Sequence, residues 1–562
     1  MKKFILPLIV ILLTFPVIIS LLHPGFFPSD DGEWMVVRLS DFHRSVVSLQ
    51  LPVRWAARLN YGYGYPVFNF LYPLSLYFGE FFHLMGFNFV SSIKLVFIFS
   101  FILSGLTMYI FASKYWDKWA GLLCAILYVY TPYRLLDVYV RGSIGEALSF
   151  VFPPLILWSI INLQKKFKAK VFIIGSMSFA FLIMSHNIIA FIFIPVILLF
   201  LIWGFIQREK DIQFFIRNLL FLGLGLGLTA FFWFPALYDQ QFTIMSQTPI
   251  SNFFDYFLSI KQLIIPTWGY GPSLPGGNGN VSYQLGLLPL IFLLISLLLI
   301  FILKINSNSK EIKQVFPFII ISLLSIFLML PISSFFWQII PITNLIQFPW
   351  RILAITTFSI SIVAGFVVSL VGEKGKILVI VAILLMIGLS YSYARPILFV
   401  DRGEGFYTTN EATTTVKDEY MPIWVQEKPE SHAKDKIQFV QGSGSINNII
   451  FNSRKVSAEI QANTDSVVQV NSVYFPGWSA YLSTNKINID YQNVYGLINL
   501  RVPRGNYQLI VEFKETPVRL LADLISVLSL LITFYILYLN QKTNENLSMI
   551  KSSLRRNNIE IK

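Results

Sequence analysis

About twelve long apolar runs, separated by short polar loops, constrain the fold of this chain more than any other feature of its sequence. The longer runs reach the roughly 20 apolar residues that an α-helix needs to cross the hydrocarbon core of a bilayer. Composition supports this interpretation, because only 13% of the 562 residues are charged, against about 25% in soluble domains. The sequence therefore predicts a polytopic α-helical membrane protein of about twelve spans.

Basic side chains are concentrated in alternate loops between these runs. The positions are Lys114, Lys118, Lys165, Lys166, Lys168, Lys170, Arg208, Lys210, Lys304, Lys310, Lys313, Lys374 and Lys376. Because cytoplasmic loops carry the excess of Lys and Arg, we expect both termini, including a basic tail at 541–562, to be cytoplasmic in the cell membrane. The net charge of +13 then reflects topology and contacts with anionic lipid headgroups, so we expect no nucleic-acid partner.

One long polar segment, 394–516, interrupts the apolar runs near the end of the chain. Its residues alternate between apolar and polar, as in Tyr507-Gln-Leu-Ile-Val-Glu-Phe, and the alternating stretches are separated by Gly, Asn and Pro. This pattern predicts a small extracytoplasmic β-sandwich that is tethered by a final span at 517–540. The membrane domain is then 1–393, with a first outer loop at 23–88.

The first outer loop is rich in acids. Phe26–Arg44 contains Asp30, Asp31, Glu33 and His43. The spacing of Asp30 and Glu33 fits a helix-capping box, which leaves Asp31 without a structural role. A carboxylate beside a low-dielectric region has a raised pKa and suits a general base. Asp31 and Glu33 could instead hold a divalent cation, Mg or Mn, against a phosphate.

A second charged cluster lies between the third and fourth apolar runs, in the predicted second outer loop. Arg134, Asp137 and Arg141 have helical ion-pair spacing, and Ser143 and Glu146 fit a second capping box. That box would direct a helix N-terminus toward the outer face beside Arg141. Backbone N–H groups and a guanidinium together form a seat for phosphate.

Two further polar positions interrupt apolar runs on the same side. Arg351, in Gln347-Phe-Pro-Trp-Arg351, would lie in the first turn of a helix, where a cation opposes the helix dipole. The arginine therefore either extends to the interface or binds an anion. His186 precedes Asn187 between two runs, which favours a polar turn over a catalytic role. The five histidines have no HxxxH or HExxH spacing, so the sequence does not predict a zinc site.

With these residues in view, the chain resembles the GT-C superfamily of membrane glycosyltransferases. More narrowly, it resembles the bacterial YfhO-like membrane proteins and the membrane proteins labelled 6-pyruvoyl-tetrahydropterin synthase-related. The segments that carry the resemblance are Ser29-Asp30-Asp31-Gly32, Arg141-Gly-Ser-Ile-Gly-Glu146, Gln347-Phe-Pro-Trp-Arg351, Glu419-Tyr-Met-Pro422, Phe475-Pro-Gly-Trp478 and Val502-Pro-Arg-Gly-Asn-Tyr507. Pterin-synthase chemistry itself needs a histidine zinc site in a soluble fold, which this sequence does not offer.

The superfamily resemblance implies an inverting hexosyl- or pentosyltransferase. It would move a sugar from a polyprenyl-phosphate donor to an extracytoplasmic acceptor glycan or lipid of the cell envelope. In the superfamily an acid of the first outer loop acts as the base, and this role transfers to Asp30 or Asp31 only. The sequence has no clear Asp-x-Asp or Asp-x-Glu metal motif, and the nearest approach is Asp31-x-Glu33.

The hypothesis from sequence is therefore a membrane glycosyltransferase in which arginines neutralise the donor phosphate. The phosphate ligands would be Arg141, Arg351 and Arg134, with Glu33, His43, Glu146 and His186 in supporting positions. Two alternatives are a lipid-linked glycan transporter and a non-catalytic scaffold. A transporter would place charges along a path through both leaflets and usually has internal repeats, whereas a scaffold would close its outer acids into ion pairs. The sequence identifies neither the sugar, the acceptor nor the oligomeric state.

Overall fold

The structure is a computed structural model, and it describes residues 5–163, 167–208, 210–247, 252–277, 279–303, 309–340, 345–411 and 418–556. Lys165, Lys166, Lys304 and the last residues of the predicted tail, 557–562, lie outside the described residues.

The chain is mostly helical up to residue 409. The α-helices are α1 Ile5–Ile18, α2 Gly32–Val47, α3 Leu74–Leu84, α4 Phe89–Tyr115, α5 Lys118–Tyr130, α6 Pro132–Tyr139, α7 Ile144–Ser149, α8 Phe152–Asn162, α9 Ala169–Ser185, α10 Asn187–Ile206, α11 Ile212–Leu228, α12 Ala230–Asp239, α13 Ile260–Ile264, α14 Leu287–Leu303, α15 Lys310–Met329, α16 Ser334–Ile339, α17 Leu353–Val371, α18 Gly375–Ser390, α19 Gly403–Thr409 and α20 Pro517–Arg556.

Eight helical segments among the described residues are long and apolar enough to cross a membrane. They are Ile5–Leu22, Phe89–Tyr115, Ile144–Asn162, Asn187–Ile206, Lys310–Met329, Pro349–Val371, Gly375–Tyr393 and Pro517–Glu545. The number rises to 10 if the bent pairs α5–α6 and α11–α12 each make one span, and α9 and α14 are shorter apolar helices. The predicted polytopic membrane fold is confirmed, while the count of twelve spans stays a prediction.

The two bends have local causes. α5 and α6 meet at an angle of 41°, and Pro132 opens α6 because proline fits the first turn of a helix but cannot continue the preceding one. α11 and α12 meet at 68° across Thr229, whose hydroxyl donates back to the carbonyl of Gly225. The first bend turns the end of α6 toward the loop that precedes α2.

α17 is the central helix of the bundle, and nearly all of its residues are buried. It contacts α15 through hydroxyl groups, with Ser322 donating to Ser359 and Thr356 donating to Ser325, both at 2.8 Å. Such small polar residues let transmembrane helices approach closely. A 3₁₀ turn, Pro349–Ile352, precedes α17 and carries Arg351.

α2, the helix that follows the acidic loop, ends at Val47. Leu49 adopts a φ of +58°, and the N–H of Gln50 donates to the carbonyl of Ser45 at 3.0 Å. This is the Schellman pattern that ends many helices. The side chain of Gln50 then accepts from the N–H groups of Arg54 and Trp55 and fixes the chain beyond the helix.

The predicted β region is also confirmed. Its strands are β1 Ile437–Gln441, β2 Gly444–Phe451, β3 Lys455–Ala462, β4 Ser466–Val473, β5 Trp478–Leu482, β6 Asn485–Ile487, β7 Ile489–Asp490, β8 Leu497–Val502 and β9 Gly505–Phe513. They form two antiparallel sheets with the orders β1-β4-β8-β7 and β2-β3-β9-β5-β6. Every second residue of β3 is buried, as expected for a sheet with one face on a core.

Ion pairs join the β region, α20 and the membrane domain. Arg54 donates to Glu515 at 2.7 Å and to Asp523 at 2.8 Å, and Arg519 of α20 donates to Asp239 of α12 at 2.9 Å. These contacts position the β region over the end of the bundle that carries the acidic loop.

Candidate functional site

The acidic loop before α2 lies directly against the turn that follows α6. The N–H of Asp30 donates to the carbonyl of Val140 at 3.4 Å, and the N–H of Asp31 donates to the carbonyl of Arg141 at 2.9 Å. Two motifs that are far apart in sequence are thereby joined through their backbones. The structure brings together the acids and the arginine that the sequence analysis selected separately.

Gly142 makes this close approach possible. A Cβ at this position would lie 2.4 Å from the Ser29 Oγ and 2.6 Å from the Gly32 nitrogen. Its φ is +64°, a conformation that glycine adopts without strain. Gly32 is under a similar constraint, because its Cβ would lie 2.5 Å from the same Ser29 Oγ. The glycine of the Arg141-Gly142 motif is therefore a packing requirement of the acidic loop.

Neither acid of the Asp30–Asp31 pair caps α2. Ser29 Oγ accepts from the N–H of Gly32 at 3.2 Å, and Asp31 occupies the N-cap position without a side-chain capping bond. Glu33 instead accepts from Arg402 Nε at 2.9 Å. The predicted capping box is wrong. Ser29 accepts the backbone N–H at the start of α2 in place of Asp30, and the carboxylate of Glu33 binds the distant Arg402 in place of the backbone.

Asp30 as a residue is exposed, although protein atoms surround much of its carboxyl group. Desolvation raises the pKa of Asp30 to about 6, and the negative charge of Asp31 adds to this effect while Arg141 opposes it. A carboxylate with this pKa is a stronger base than an ordinary aspartate and is still ionised at neutral pH.

Arg141 is held by two buried acids. Its Nη1 donates to Asp137 and, at 2.8 Å, to Glu146, and its guanidinium lies 4.7 Å from the ring centre of Trp350. Glu146 also accepts a hydrogen bond from Tyr133. The Arg141–Asp137 pair that the spacing predicts is confirmed. The predicted capping box at Ser143 is wrong, because Arg141 and Tyr133 bind the carboxylate of Glu146.

Arg351 is a buried cation that is satisfied only in part. Its Nη1 donates to two neutral oxygens, the carbonyl of Ile346 at 3.0 Å and the amide of Gln347 at 2.6 Å. Its Nε is buried and has no hydrogen-bond partner among the described residues. Only 8% of Arg351 is exposed, so the side chain does not extend into the interface, and its charge interacts with Glu146, Arg141 and Asp31.

His186 forms the predicted polar turn between α9 and α10. It is the N-cap of α10, where its Nδ1 accepts from the N–H of Ile189 at 3.3 Å. Its ring stacks on Tyr72 at 4.8 Å, and Gly145 packs so tightly against Tyr72 that a Cβ would lie 2.2 Å away. His186 therefore lies beside the site, with a structural role as a cap.

Arg134 is placed differently from the other two arginines. It is completely buried, lies between the rings of Phe101 and Phe150 at 4.8 and 4.4 Å, and donates to Ser100 Oγ at 3.1 Å. Its Nε and Nη1 have no partner among the described residues. The predicted phosphate role of Arg134 stays untested, and its burial places it behind Arg141 and Arg351.

His43 and Glu33 do not converge with Asp31. His43 contacts Glu80 at 2.9 Å and lies eleven residues beyond Gly32 on α2, or about 16 Å along the helix axis. Glu33 is engaged by Arg402. Among the described residues, no three His, Cys, Asp or Glu side chains are grouped so that they could hold a metal ion.

Two tyrosines that the sequence analysis did not select also belong to this site. Tyr283 packs against Trp350 with ring centres 5.6 Å apart and interacts with Asp30 and Arg141. Tyr420 stacks on Phe70 at 5.0 Å and interacts with Arg351. Both lie in irregular segments, where no periodicity identifies them, although Tyr420 is part of the Glu419–Pro422 motif.

An apolar groove of about 310 Å³ begins beside Arg351. It lies between α10, α15, α16 and α17. Its lining includes Ile346 and Ile352, which lie on either side of Arg351 in the sequence. Its other lining residues are Phe191, Ile192, Pro195, Val196, Leu199, Ile321, Leu324, Ser325, Leu328, Phe336, Trp337, Ile340 and Ile355. A buried cation therefore lies at the edge of an almost wholly apolar groove.

The chain is similar to several known proteins. An uncharacterized protein of Lactococcus lactis subsp. cremoris (strain MG1363) is 24% identical over 237 residues, which are 41% of this chain and 38% of that protein. The arabinofuranosyltransferase AftD from Mycobacteria has a TM-score of 0.47 at 12% identity, over 69% of this chain and 26% of AftD. The oligosaccharyltransferase AglB from Archaeoglobus fulgidus, in complex with an inhibitory peptide and a dolichol-phosphate, has a TM-score of 0.43 at 14% identity, over 73% of this chain and 56% of AglB.

These matches leave much of each relative uncovered, and the TM-scores are low. A family model gives the broader assignment, because it matches residues 68–399, which are more than half of the chain. The chain belongs to the membrane protein family described as the 6-pyruvoyl-tetrahydropterin synthase related domain.

Proposed function

We propose that this protein is an inverting glycosyltransferase that takes a sugar from a polyprenyl-phosphate donor and transfers it to a cell-envelope glycan or lipid. The reaction would take place at the extracytoplasmic face of the cell membrane. One observation supports this proposal above all others. The acidic loop that carries Asp30, an acid with a raised pKa, is bonded through the N–H of Asp31 to the backbone of Arg141, and the incompletely bonded cation Arg351 interacts with both Asp31 and Arg141.

The donor phosphate would be bound by Arg351. A buried guanidinium with an unpaired N–H is unfavourable in an empty site, and a phosphate oxygen satisfies both its hydrogen bond and its charge. The buried charges of the site are three arginines and two acids, namely Arg134, Arg141, Arg351, Asp137 and Glu146, and Asp30 and Asp31 lie in the adjoining loop. Arg141 is held in place by its two acids and would contribute its charge to the same phosphate.

The polyprenyl chain would lie in the apolar groove. The groove begins at Ile346 and Ile352, which flank Arg351, and continues between α10 and α15 among aliphatic and aromatic side chains. A phosphate at Arg351 would therefore place the isoprenoid chain near Ile346 and Ile352 of the groove lining. Burying such a chain against aliphatic side chains is favourable in proportion to the contact made.

The acceptor hydroxyl would be activated by Asp30. In the proposed step, the Asp30 carboxylate takes the hydroxyl proton as the acceptor oxygen attacks the anomeric carbon. The bond between that carbon and the phosphate oxygen breaks, and the electron pair leaves with the phosphate, whose charge Arg351 and Arg141 stabilise. Attack opposite to the leaving group inverts the anomeric configuration. Tyr283 and Tyr420 are positioned to form walls of the sugar site.

A divalent cation is not required by any of these steps. Asp31 together with a donor phosphate would supply oxygen ligands of the type that Mg and Mn prefer. Glu33, the second ligand considered from sequence, is paired with Arg402. Any cation would therefore be held chiefly by Asp31 and the donor itself.

The proposal is tested with the full chain in lipid nanodiscs, supplied with a panel of radiolabelled polyprenyl-phosphate sugars and a cell-envelope acceptor fraction. Asp30→Asn should lower transfer by roughly 10²–10⁴-fold, the range for loss of a general base, while undecaprenyl phosphate still binds. Asp31→Asn is the matched comparison and should retain more transfer than Asp30→Asn. If both variants transfer at the wild-type rate, the base assignment is wrong.

A non-catalytic scaffold is the second candidate, and one observation favours it. Arg141 is already paired with Asp137 and Glu146, as expected if the charges only stabilise the fold. The scaffold also requires the outer acids to be closed into ion pairs. Arg141 pairs with the two buried acids rather than with Asp30 or Asp31, and the hydrogen bonds of Arg351 go to neutral oxygens, so the arrangement favours the transferase.

A further inference from the structure

The β region exposes apolar residues at one end of an edge strand. β2 is the outermost strand of its sheet, and its last residues Ile449, Ile450 and Phe451 are 38%, 71% and 60% exposed. Exposed apolar residues on an edge strand are a liability for a domain that is surrounded by water, because they promote pairing with other chains. This end of β2 therefore requires an apolar or amphipathic neighbour.

The strand register places this end of β2 near the start of α20. β2 pairs with β3, β3 pairs with β9, and the carbonyl of Arg454 in the β2–β3 turn accepts from the N–H of Phe513 at 2.8 Å. Four residues later, at Pro517, the chain enters the apolar helix α20. Four residues span at most about 14 Å, so the β2–β3 turn lies close to the start of α20, a helix that is long and apolar enough to cross the membrane.

The same turn carries two exposed cations, Arg454 and Lys455. The acid opposite Lys455 in the register is Glu512, and it pairs with Lys514 instead. Asn452 shapes the turn by accepting from the N–H groups of both basic residues. Apolar side chains next to unpaired basic residues are the combination that binds the surface of an anionic membrane.

We propose that the β2–β3 hairpin tip, residues 449–455, binds the surface of the bilayer that α20 crosses. Ile450 and Phe451 enter the headgroup layer, and Arg454 and Lys455 bind anionic headgroups. The hairpin tip gives the β region a second attachment to the membrane besides α20. It thereby adds to the ion pairs of Arg54 and Arg519 that position the β region over the candidate site. This proposal depends on the fold and not on the proposed transferase activity.

Fluorescence from a site-specific label tests the proposal. The chain has a single cysteine, Cys124, which is completely buried, so an Ile450→Cys variant can be labelled with the polarity-sensitive dye NBD in the full chain. Ser445→Cys is the matched control, because Ser445 is exposed on the same strand, about 17 Å from Ile450. In nanodiscs that contain a headgroup nitroxide lipid, the dye at position 450 should be blue-shifted and quenched, and the dye at position 445 should not. Equal emission from both positions overturns the proposal.

The charges are tested by a second variant. Arg454→Gln combined with Lys455→Gln should lower the bound-to-free ratio of the hairpin about fivefold per charge in anionic bilayers, and the effect should shrink as salt screens it. In bilayers of phosphatidylcholine alone, the double variant and the parent should be quenched equally. A dye at position 450 that is unquenched in every bilayer, as expected if a protein covers this strand end, also overturns the proposal.

Discussion

The N–H of Asp31 donates to the carbonyl of Arg141 at 2.9 Å, and this backbone bond fixes the acidic loop without using either side chain. The carboxyl group of Asp31 and the guanidinium of Arg141 remain available for other partners. Arg141 uses its guanidinium to bind Glu146 and Asp137. A site that is assembled through the backbone can keep its geometry when a side chain changes charge during a reaction.

The first prediction concerns the glycine beneath this contact. Gly142→Ala forces a Cβ to within 2.4 Å of Ser29 Oγ at a φ of +64°. The strained conformation should cost about 1–3 kcal/mol, and the clash should displace the acidic loop. Gly372→Ala is the matched control, because Gly372 has a φ of +63° with no atom within 4 Å of its Cβ position. The unfolding temperature and the rate of sugar transfer should both fall further in Gly142→Ala than in Gly372→Ala. Equal losses in the two variants would show that the clash has no effect.

The broad architecture could be predicted from sequence because it depends on periodicity and composition. Apolar runs identified the membrane helices, and alternation such as that of β3, where Val456, Ala458 and Ile460 are buried, identified the β region. Both signals average over many residues, so single exceptions do not obscure them. The side on which charged residues gather was visible for the same reason.

The partners of individual polar residues could not be predicted. Glu33 and Glu146 each have the spacing of a capping box, yet each binds an arginine. For Glu33 the competing partner comes from a distant segment, because Arg402 is 369 residues away. For Glu146 the partner Arg141 is only 5 residues away, but it reaches the carboxylate through the turn between α6 and α7, which the spacing alone does not reveal. The groove beside Arg351 was equally hidden, because its lining is indistinguishable in sequence from any other apolar helix face.

The second prediction concerns the acid that holds Arg141. Glu146→Gln removes a buried charge from the Arg141 guanidinium and weakens the bond to Tyr133. Breaking a buried ion pair from one side costs about 3–5 kcal/mol. Glu33→Gln, which breaks the partly exposed pair with Arg402, should cost about 0–1 kcal/mol. Thermal unfolding of both variants in the same detergent gives the comparison, and a smaller effect for Glu146→Gln would contradict the structural role.

The third prediction separates stability from binding at Arg351. Arg351→Gln should leave the free energy of unfolding of the unliganded protein unchanged or higher, because it removes a buried, incompletely bonded charge. The same change should weaken binding of undecaprenyl phosphate by roughly 10–100-fold, the effect of one or two charged hydrogen bonds. Arg217→Gln, at a partly exposed arginine of α11 that binds Gln213, should change neither quantity. Unchanged lipid affinity in Arg351→Gln would remove Arg351 from the phosphate site.

The fourth prediction concerns the apolar groove. Leu324 and Leu323 are neighbours on α15 and are 47% and 45% exposed, but only Leu324 lines the groove. Leu324→Trp should obstruct the groove and weaken binding of long-chain polyprenyl phosphate, while a short-chain analogue binds as before. Leu323→Trp should leave both affinities unchanged. Isothermal titration in nanodiscs measures the four combinations, and equal effects of the two tryptophans would exclude the groove as the lipid site.

The last prediction concerns pH. Because desolvation and the charge of Asp31 raise the pKa of Asp30 to about 6, kcat/KM should fall below pH 6, by about tenfold per unit for a single essential base. Asp30→Asn should abolish this dependence in its residual activity, and Asp31→Asn should move it to lower pH by removing the neighbouring negative charge.

The same raised pKa predicts that the stability of the fold changes with pH in the direction opposite to activity. A raised pKa in the folded state favours the protonated acid, so this contribution is present below the ordinary pKa of 3.8 and is lost as the pH rises through about 6. Asp30→Asn should therefore raise the unfolding temperature at pH 8 more than at pH 4, and the reverse order would contradict the assignment of Asp30 as the base.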